Sequence, residues 1–73
     1  MEIKFEHGEN LVIALVGRLD TVTSMEFTKA VEQEEIKEGL VIVDMKELEY
    51  ISSAGLRALI SLKKSLILQG KTL

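Results

Sequence analysis

Cysteine is absent from this 73-residue chain, so neither a disulfide nor a thiolate metal site can brace it. A domain this small buries only roughly 60% of its unfolded surface and is usually marginally stable. The lack of Cys also fits a reducing compartment. Clustered positive charge is missing as well. Nine Lys and Arg against twelve Asp and Glu give a net charge of -3, and Lys63–Lys64 is the only adjacent basic pair. Phosphate-backbone contacts need concentrated cations, so no nucleic-acid partner is expected. The longest apolar stretch, Leu11 to Val16, is far short of a membrane span. Charged and apolar residues alternate at the N-terminus, unlike a signal peptide. A cytoplasmic chain without direct membrane insertion is the expectation, either free-standing or part of something larger.

Catalytic equipment is equally sparse. His7 is the single histidine and falls at a turn with no ligand array around it, so it reads as a solvent-exposed corner residue. Gly17 and Gly55 belong to no phosphate-loop pattern. The serines of ISSAG lack the G-x-S-x-G elbow, and His7 precedes them in the wrong order for a hydrolase. Phe5, Phe27 and Tyr50 read as core or rim packing. No enzyme activity, cofactor or metal is expected.

What is present is an apolar fraction of 47%, enough for a folded globule. Ile3 and Phe5 alternate with Glu2, Lys4 and Glu6, the period of a half-buried edge strand. The His7–Asn10 turn, with Gly8 or Asn10 left-handed, leads into Leu11–Val16, which is apolar on both faces, as in an inner strand covered on each side. These two strands should form an antiparallel hairpin. Gly17-Arg18-Leu19-Asp20 closes the second strand. A first helix follows, with Thr23 as N-cap and Glu26 completing a capping box. Phe27, Ala30 and Val31 form its buried stripe, Glu32, Glu34 and Glu35 face water, and Gly39 is its stop. A strand from Leu40 to Val43, ended by Asp44, should pair in parallel through a right-handed crossover. The second helix is expected from about Ser53 to Leu68, presenting Leu56, Leu59, Ile60, Leu66 and Ile67, with Lys63 snorkelling out of that face. The fold class is therefore α/β, a small mixed sheet with an N-terminal antiparallel hairpin, parallel crossover strands and packed helices.

Gly70 ends the second helix, and Lys71-Thr72-Leu73 reads as the opening of another strand. On that reading the domain, residues 1–73, stops short of a strand and a covering helix. Its exposed sheet edge or apolar helix face would then suit a homodimer. A frayed tail on a minimal domain is the alternative.

The run from Leu40 to Leu59, LVIVDMKELEYISSAGLRAL, concentrates the polar chemistry. Two adjacent serines open an amphipathic helix, where N–H groups are unsatisfied and the dipole is positive. One of Ser52 and Ser53 can cap the helix. A hydroxyl left exposed there can carry a phosphate, and the small Ala54 and Gly55 beside it would let another backbone approach. Asp44, at a strand end, is open to two readings: a functional carboxylate or a turn acceptor for backbone N–H groups. Asp20 has the same ambiguity and can also cap the first helix. Tyr50 is placed to shape the surface around the serines.

With these residues in view, the chain resembles the STAS domain family, the sulphate-transporter and anti-sigma-factor-antagonist domains. GRLD at Gly17–Asp20 is similar to the segment entering that family's first helix. VIVDMKELEYISSAGLRAL is similar to its central signature, a strand ending in Asp and then an Asp-Ser-Ser-Gly-Leu-like turn into a helix. The resemblance implies an anti-sigma factor antagonist. Such a protein binds an anti-sigma factor that is also a serine kinase and so releases a sigma factor. It is phosphorylated by that kinase and restored by a PP2C-type phosphatase. The serine that matches the family's acceptor is Ser53, with Ala54 following where many relatives have Ser, and with Gly55 and Leu56 matching directly. Ser52 stands where the family usually has Asp and becomes a competing acceptor. The implied partner surface comprises Asp20, Asp44, Tyr50, Ser52, Ser53, Ala54, Gly55 and Leu56. The alternative within the family is a non-phosphorylated scaffold domain of an anion transporter, a sensory complex or a lipid-transport assembly.

Overall fold

The five elements follow the hydropathy of the chain closely, with the main surprises at their ends. A computed structural model describes residues 1–72. The elements are β1 (Glu2–Glu6), β2 (Leu11–Leu19), α1 (Thr21–Gln33), β3 (Val41–Ile51) and α2 (Ser53–Leu68). The sheet order is β1-β2-β3, with β1 antiparallel to β2 and β3 parallel to it. This is the mixed α/β arrangement the sequence suggests, with β1 as the half-buried edge.

Leu11, Ile13, Leu15 and Leu19 of β2 point to one face and are fully buried with Val41, Phe27, Leu62 and Leu66. Both helices therefore cover the same side of the sheet. The other side shows rows of Glu6–Val12–Ile42 and Lys4–Ala14–Asp44, set by the strand register. Val12, Ala14 and Val16 are only half-buried there, so β2 is not covered on both faces as its continuous apolar run suggests. Lys4, Glu6, Lys46 and Glu47 of the neighbouring strands line the surface beside Ala14 and Val16, where Lys and Glu stems can cover apolar area.

β3 differs most from expectation. It does not end at Asp44 but runs on to Ile51. Its register against β2 shifts between Ala14 and Val16 and again between Gly17 and Arg18. Each shift absorbs an extra residue of β3 in a bulge, which lets a charged segment, Lys46-Glu47-Leu48-Glu49, stay in the sheet with Leu48 turned toward the core. The second bulge accompanies Gly17, whose φ of 109° is a left-handed value that suits glycine. Neither Gly8 nor Asn10 takes that conformation in the hairpin turn.

α1 begins earlier than the Thr23 cap implies, and it ends at Gln33 rather than at Gly39. Residues 34–40 form an extended linker from which Ile36 packs on the core. In α2 the inward stripe is Gly55, Ala58, Leu59, Leu62 and Leu66, a rotation from the one expected. Leu56, Ile60 and Ile67 lie outside it, 54%, 47% and 58% exposed, with Lys63 on the exposed side too. The helix has more apolar residues than the sheet can cover, so periodicity alone did not select the inner face. α2 closes on Gly70, with Gly70 N–H donating to the Ile67 carbonyl at 3.0 Å and Lys71 N–H to the Leu66 carbonyl at 2.8 Å. This is a Schellman closure, made accessible by a glycine at φ 75°.

The expected further strand is represented by one parallel bridge, Leu40 to Thr72. Val41 N–H donates to Thr72 O and Thr72 N–H to Gly39 O, both at 2.8 Å. Leu73, the third residue of that expected opening, lies outside the described residues.

Candidate functional site

Parallel pairing brings the ends of β2 and β3 together and starts both helices at one edge of the molecule. Leu19 is in register with Ile51, and Ser52 N–H donates to the Leu19 carbonyl at 2.9 Å. The N-caps of the two helices, Asp20 and Ser52, thereby become neighbours in the fold. That edge is the candidate site.

Asp20 caps α1. Its Oδ1 accepts from Val22 N–H at 3.0 Å and Thr23 N–H at 2.9 Å, while the Thr23 hydroxyl oxygen accepts from Asp20 N–H at 2.8 Å. A capping box does form, but three residues earlier than the sequence suggests, with Thr23 as its second member rather than its first. The Thr23 hydroxyl also donates to the Arg18 carbonyl at 2.7 Å, and the buried Ser24 hydroxyl donates to the Asp20 carbonyl. Hydrogen bonds from the Thr23 backbone and then its hydroxyl hold the Asp20 carboxyl below its usual pKa. Burial opposes this, and the Val22 N–H and the Arg18 charge add to it.

The two serines have different environments. Ser52 is half-buried and caps α2, its hydroxyl oxygen accepting from Gly55 N–H at 3.1 Å. Ser53 is the first helical residue and is exposed. Among the described residues, no side-chain hydrogen bond engages its hydroxyl. Capping occupies one oxygen and leaves the other free at the positive end of a helix.

Gly55 explains how the helix start is held so close. A Cβ there would lie 2.8 Å from the Leu19 carbonyl oxygen and 2.9 Å from Leu19 Cγ. The backbone that approaches Gly55 is the chain's own, and Gly55 is buried, so it positions the helix rather than meeting a partner. Ala54 is half-buried and Leu56 exposed on either side of it.

Tyr50 is 44% exposed and sits opposite Arg18, whose guanidinium lies 4.4 Å from the ring centroid. Asp44 is not with this group. It lies mid-strand opposite Ala14, on the face away from the helices, where its Oδ1 accepts from Lys46 N–H at 3.1 Å. Of the two readings for Asp44, the structure contains the backbone acceptor.

Several residues at this edge were not anticipated. Val22 and Met25 project from the first turns of α1, 66% and 67% exposed. A groove of about 450 Å³ separates α1 from α2, with Thr21, Met25, Ala54 and Arg57 among its lining. Two exposed apolar residues beside a helix cap were a readable signal, but only once Asp20 rather than Thr23 is the cap. Among the described residues, no group of three or more His, Cys, Asp or Glu could hold a metal ion. None of their helices is long and apolar enough to cross a membrane.

This architecture is shared with known proteins. The family model of the STAS domain matches residues 2–73, and the chain belongs to that family. It is 33% identical over 67 residues to the anti-sigma-B factor antagonists of Listeria monocytogenes and Listeria innocua. Those matches cover 90% of this chain and 59% of each relative, so the chain spans about three fifths of their length. Two solved structures share the fold. The anti-sigma factor antagonist SpoIIAA in its unphosphorylated form superposes with a TM-score of 0.70 at 20% identity, covering 96% of this chain and 67% of that one. Mglu gives a TM-score of 0.80 at 14% identity, covering 97% of this chain but only 18% of its own.

Proposed function

We propose that this chain is a phosphorylation-switched binding module of the anti-sigma-antagonist type, acting in the cytoplasm. It binds an anti-sigma factor that is also a serine kinase and thereby frees a sigma factor. The kinase transfers the γ-phosphoryl group of ATP to Ser53 Oγ, releasing ADP and the hydroxyl proton, and a PP2C-type phosphatase hydrolyses the ester. The observation that carries this reading is the free, exposed Ser53 hydroxyl beside a serine already committed to capping. Phosphate would bring about -1.5 to -2 charges to a helix end that tolerates them. The effect therefore falls on the partner. Repulsion and desolvation of about 2–3 kcal/mol across the contact would change affinity roughly a hundredfold. Asp20, Tyr50, Ser52, Ser53, Ala54 and Leu56 supply the proposed contact, joined by Val22 and Met25. Homodimerisation would use other surfaces, the outer edge of β3 or the exposed Ile60–Ile67 flank of α2, and sedimentation of the protein across concentrations tests it.

One observation favours the second reading, a non-phosphorylated scaffold. Ser52 replaces the family's usual Asp, and the first turn of α2 carries no acidic residue. Incubation with ATP and the anti-sigma kinase encoded beside its gene, followed by phosphosite mapping, separates the two. One phosphate on Ser53 is expected. An unmodified chain would favour the scaffold, and phosphate on Ser52 would overturn the assignment of the acceptor.

A further inference from the structure

The opposite end of the sheet holds a second cluster, built from His7 and two carboxylates far away in sequence. His7 Nδ1 lies 2.7 Å from Glu38 Oε2 and His7 Nε2 lies 2.5 Å from Glu34 Oε2. Both partners are carboxylates, which when ionised can only accept. A neutral imidazole has a single N–H, so it can satisfy only one of them. The arrangement calls for an imidazolium, with both nitrogens donating.

The contacts join separate parts of the fold. His7 belongs to the β1–β2 turn, Glu34 is the C-cap of α1, and Glu38 sits in the linker before β3. The same linker anchors the end of the chain: Lys71 Nζ donates to the Glu38 carbonyl at 3.0 Å and Thr72 N–H to Gly39 O at 2.8 Å. Glu38 is the more enclosed carboxylate, its side chain 7% exposed against 29% for Glu34. It also accepts from Lys37 N–H at 3.2 Å. A cation at the C-terminal end of α1 is further favoured by the helix dipole.

We infer that His7, Glu34 and Glu38 form a proton-operated clasp that ties the hairpin turn to the α1–β3 linker and to the tail paired on it. Loss of one proton to solvent leaves a single N–H. That N–H stays with enclosed Glu38, whose unpaired carboxylate would be the costlier to leave buried, and the contact to Glu34 is released. The charged groups acting on His7 are Glu34 and Glu38. Glu6 and Glu9 flank it in the hairpin, Lys37 flanks Glu38 in the linker, and Lys71 reaches the same linker from the tail.

The direction of the titration agrees. Hydrogen bonds to Glu34 and then to Glu38 raise the His7 pKa above 6.5, with desolvation opposing them. The Glu38 carboxyl is held below its usual value: burial acts against this, but hydrogen bonds from its own backbone N–H, from His7 and from Lys37 outweigh it. A raised histidine pKa contributes stability that is complete below the unfolded value and is lost as pH rises through the folded one. The clasp is therefore closed between the depressed Glu38 titration and the raised His7 titration, and it opens on the alkaline side.

Because His7 is the single histidine, its imidazole signals in an NMR titration of the whole chain are unambiguous. The expected result is a midpoint above 6.5, with both ring nitrogens protonated below it. Amide-exchange protection of Glu34, whose N–H donates to the Val31 carbonyl at 3.2 Å, corrected for intrinsic rates, should fall across that midpoint as the contact to His7 is released. His7→Gln should abolish this pH dependence, and Glu34→Gln should lower the midpoint in a folded protein. A midpoint at or below 6.5, or the same loss of protection in His7→Gln, would overturn the clasp. None of these readouts depends on a kinase or on Ser53.

Discussion

The two ends of the sheet solve the problem of chain closure with different chemistry. Where the parallel strands finish, neutral and charged caps satisfy the helix starts locally, through Asp20 with Thr23 and Ser52 with Gly55. Those partners are within three residues of each cap, so the neighbouring Ser53 is left uncommitted. Where the strands begin, closure depends on charge drawn from afar: His7 meets Glu34 and Glu38, 27 and 31 residues along the chain. There each group is engaged and little is spare. Local capping leaves a surface available for a partner, whereas long-range ion pairing makes a brace that responds to pH.

The largest expected effect is at the capped end. Gly55→Ala would press a methyl group to 2.8 Å from the Leu19 carbonyl oxygen. That contact is with backbone, so strand and helix must separate, at a cost of about 3 kcal/mol, the upper part of the range for overpacking. Urea denaturation measures it. A loss under about 1 kcal/mol would mean that the helix start is not pinned as described.

Separating the two serines comes next. Ser52→Ala removes the α2 cap and should cost about 1 kcal/mol, while Ser53→Ala should stay within about 0.5 kcal/mol. The same denaturation curves decide it, and equal losses would erase the distinction between a structural and a free hydroxyl. The smallest effect is a pH profile. Because the folded Asp20 pKa is depressed, its contribution is present above the unfolded value near 3.8 and is lost as pH falls through the folded one. Asp20→Asn keeps a capping oxygen and should melt with a flatter acid limb than the wild type. Parallel acid limbs would remove the carboxylate from the account of the cap.

The part of the fold that was legible is the part governed by local pattern. Alternation at Ile3 and Phe5, the apolar run Leu11–Val16 and Gly70 after α2 located β1, β2 and a helix end. The extent of β3 was hidden because Lys46, Glu47 and Glu49 read as a polar turn, whereas bulges keep them in an exposed strand. The inner face of α2 was ambiguous because Leu56 and Ile60 are as apolar as Leu59 and Leu62, and only the width of the sheet selects between them. At the site, the serine pair was readable from its position before an amphipathic helix. The choice between the serines was not, since it turns on which oxygen reaches Gly55 N–H. His7 was placed correctly in an exposed turn, yet its partners lie across the sheet, beyond any local motif.

Binding to the anti-sigma kinase encoded beside its gene, compared by calorimetry for wild type, Ser52→Asp and Ser53→Asp, tests the central claim most directly. Ser52→Asp retains a good cap and should bind like the wild type, whereas Ser53→Asp, with about half the charge of a phosphate, should bind roughly tenfold more weakly. Equal affinities for all three, or a loss confined to Ser52→Asp, would contradict the assignment of Ser53 as the charge-sensitive point of contact.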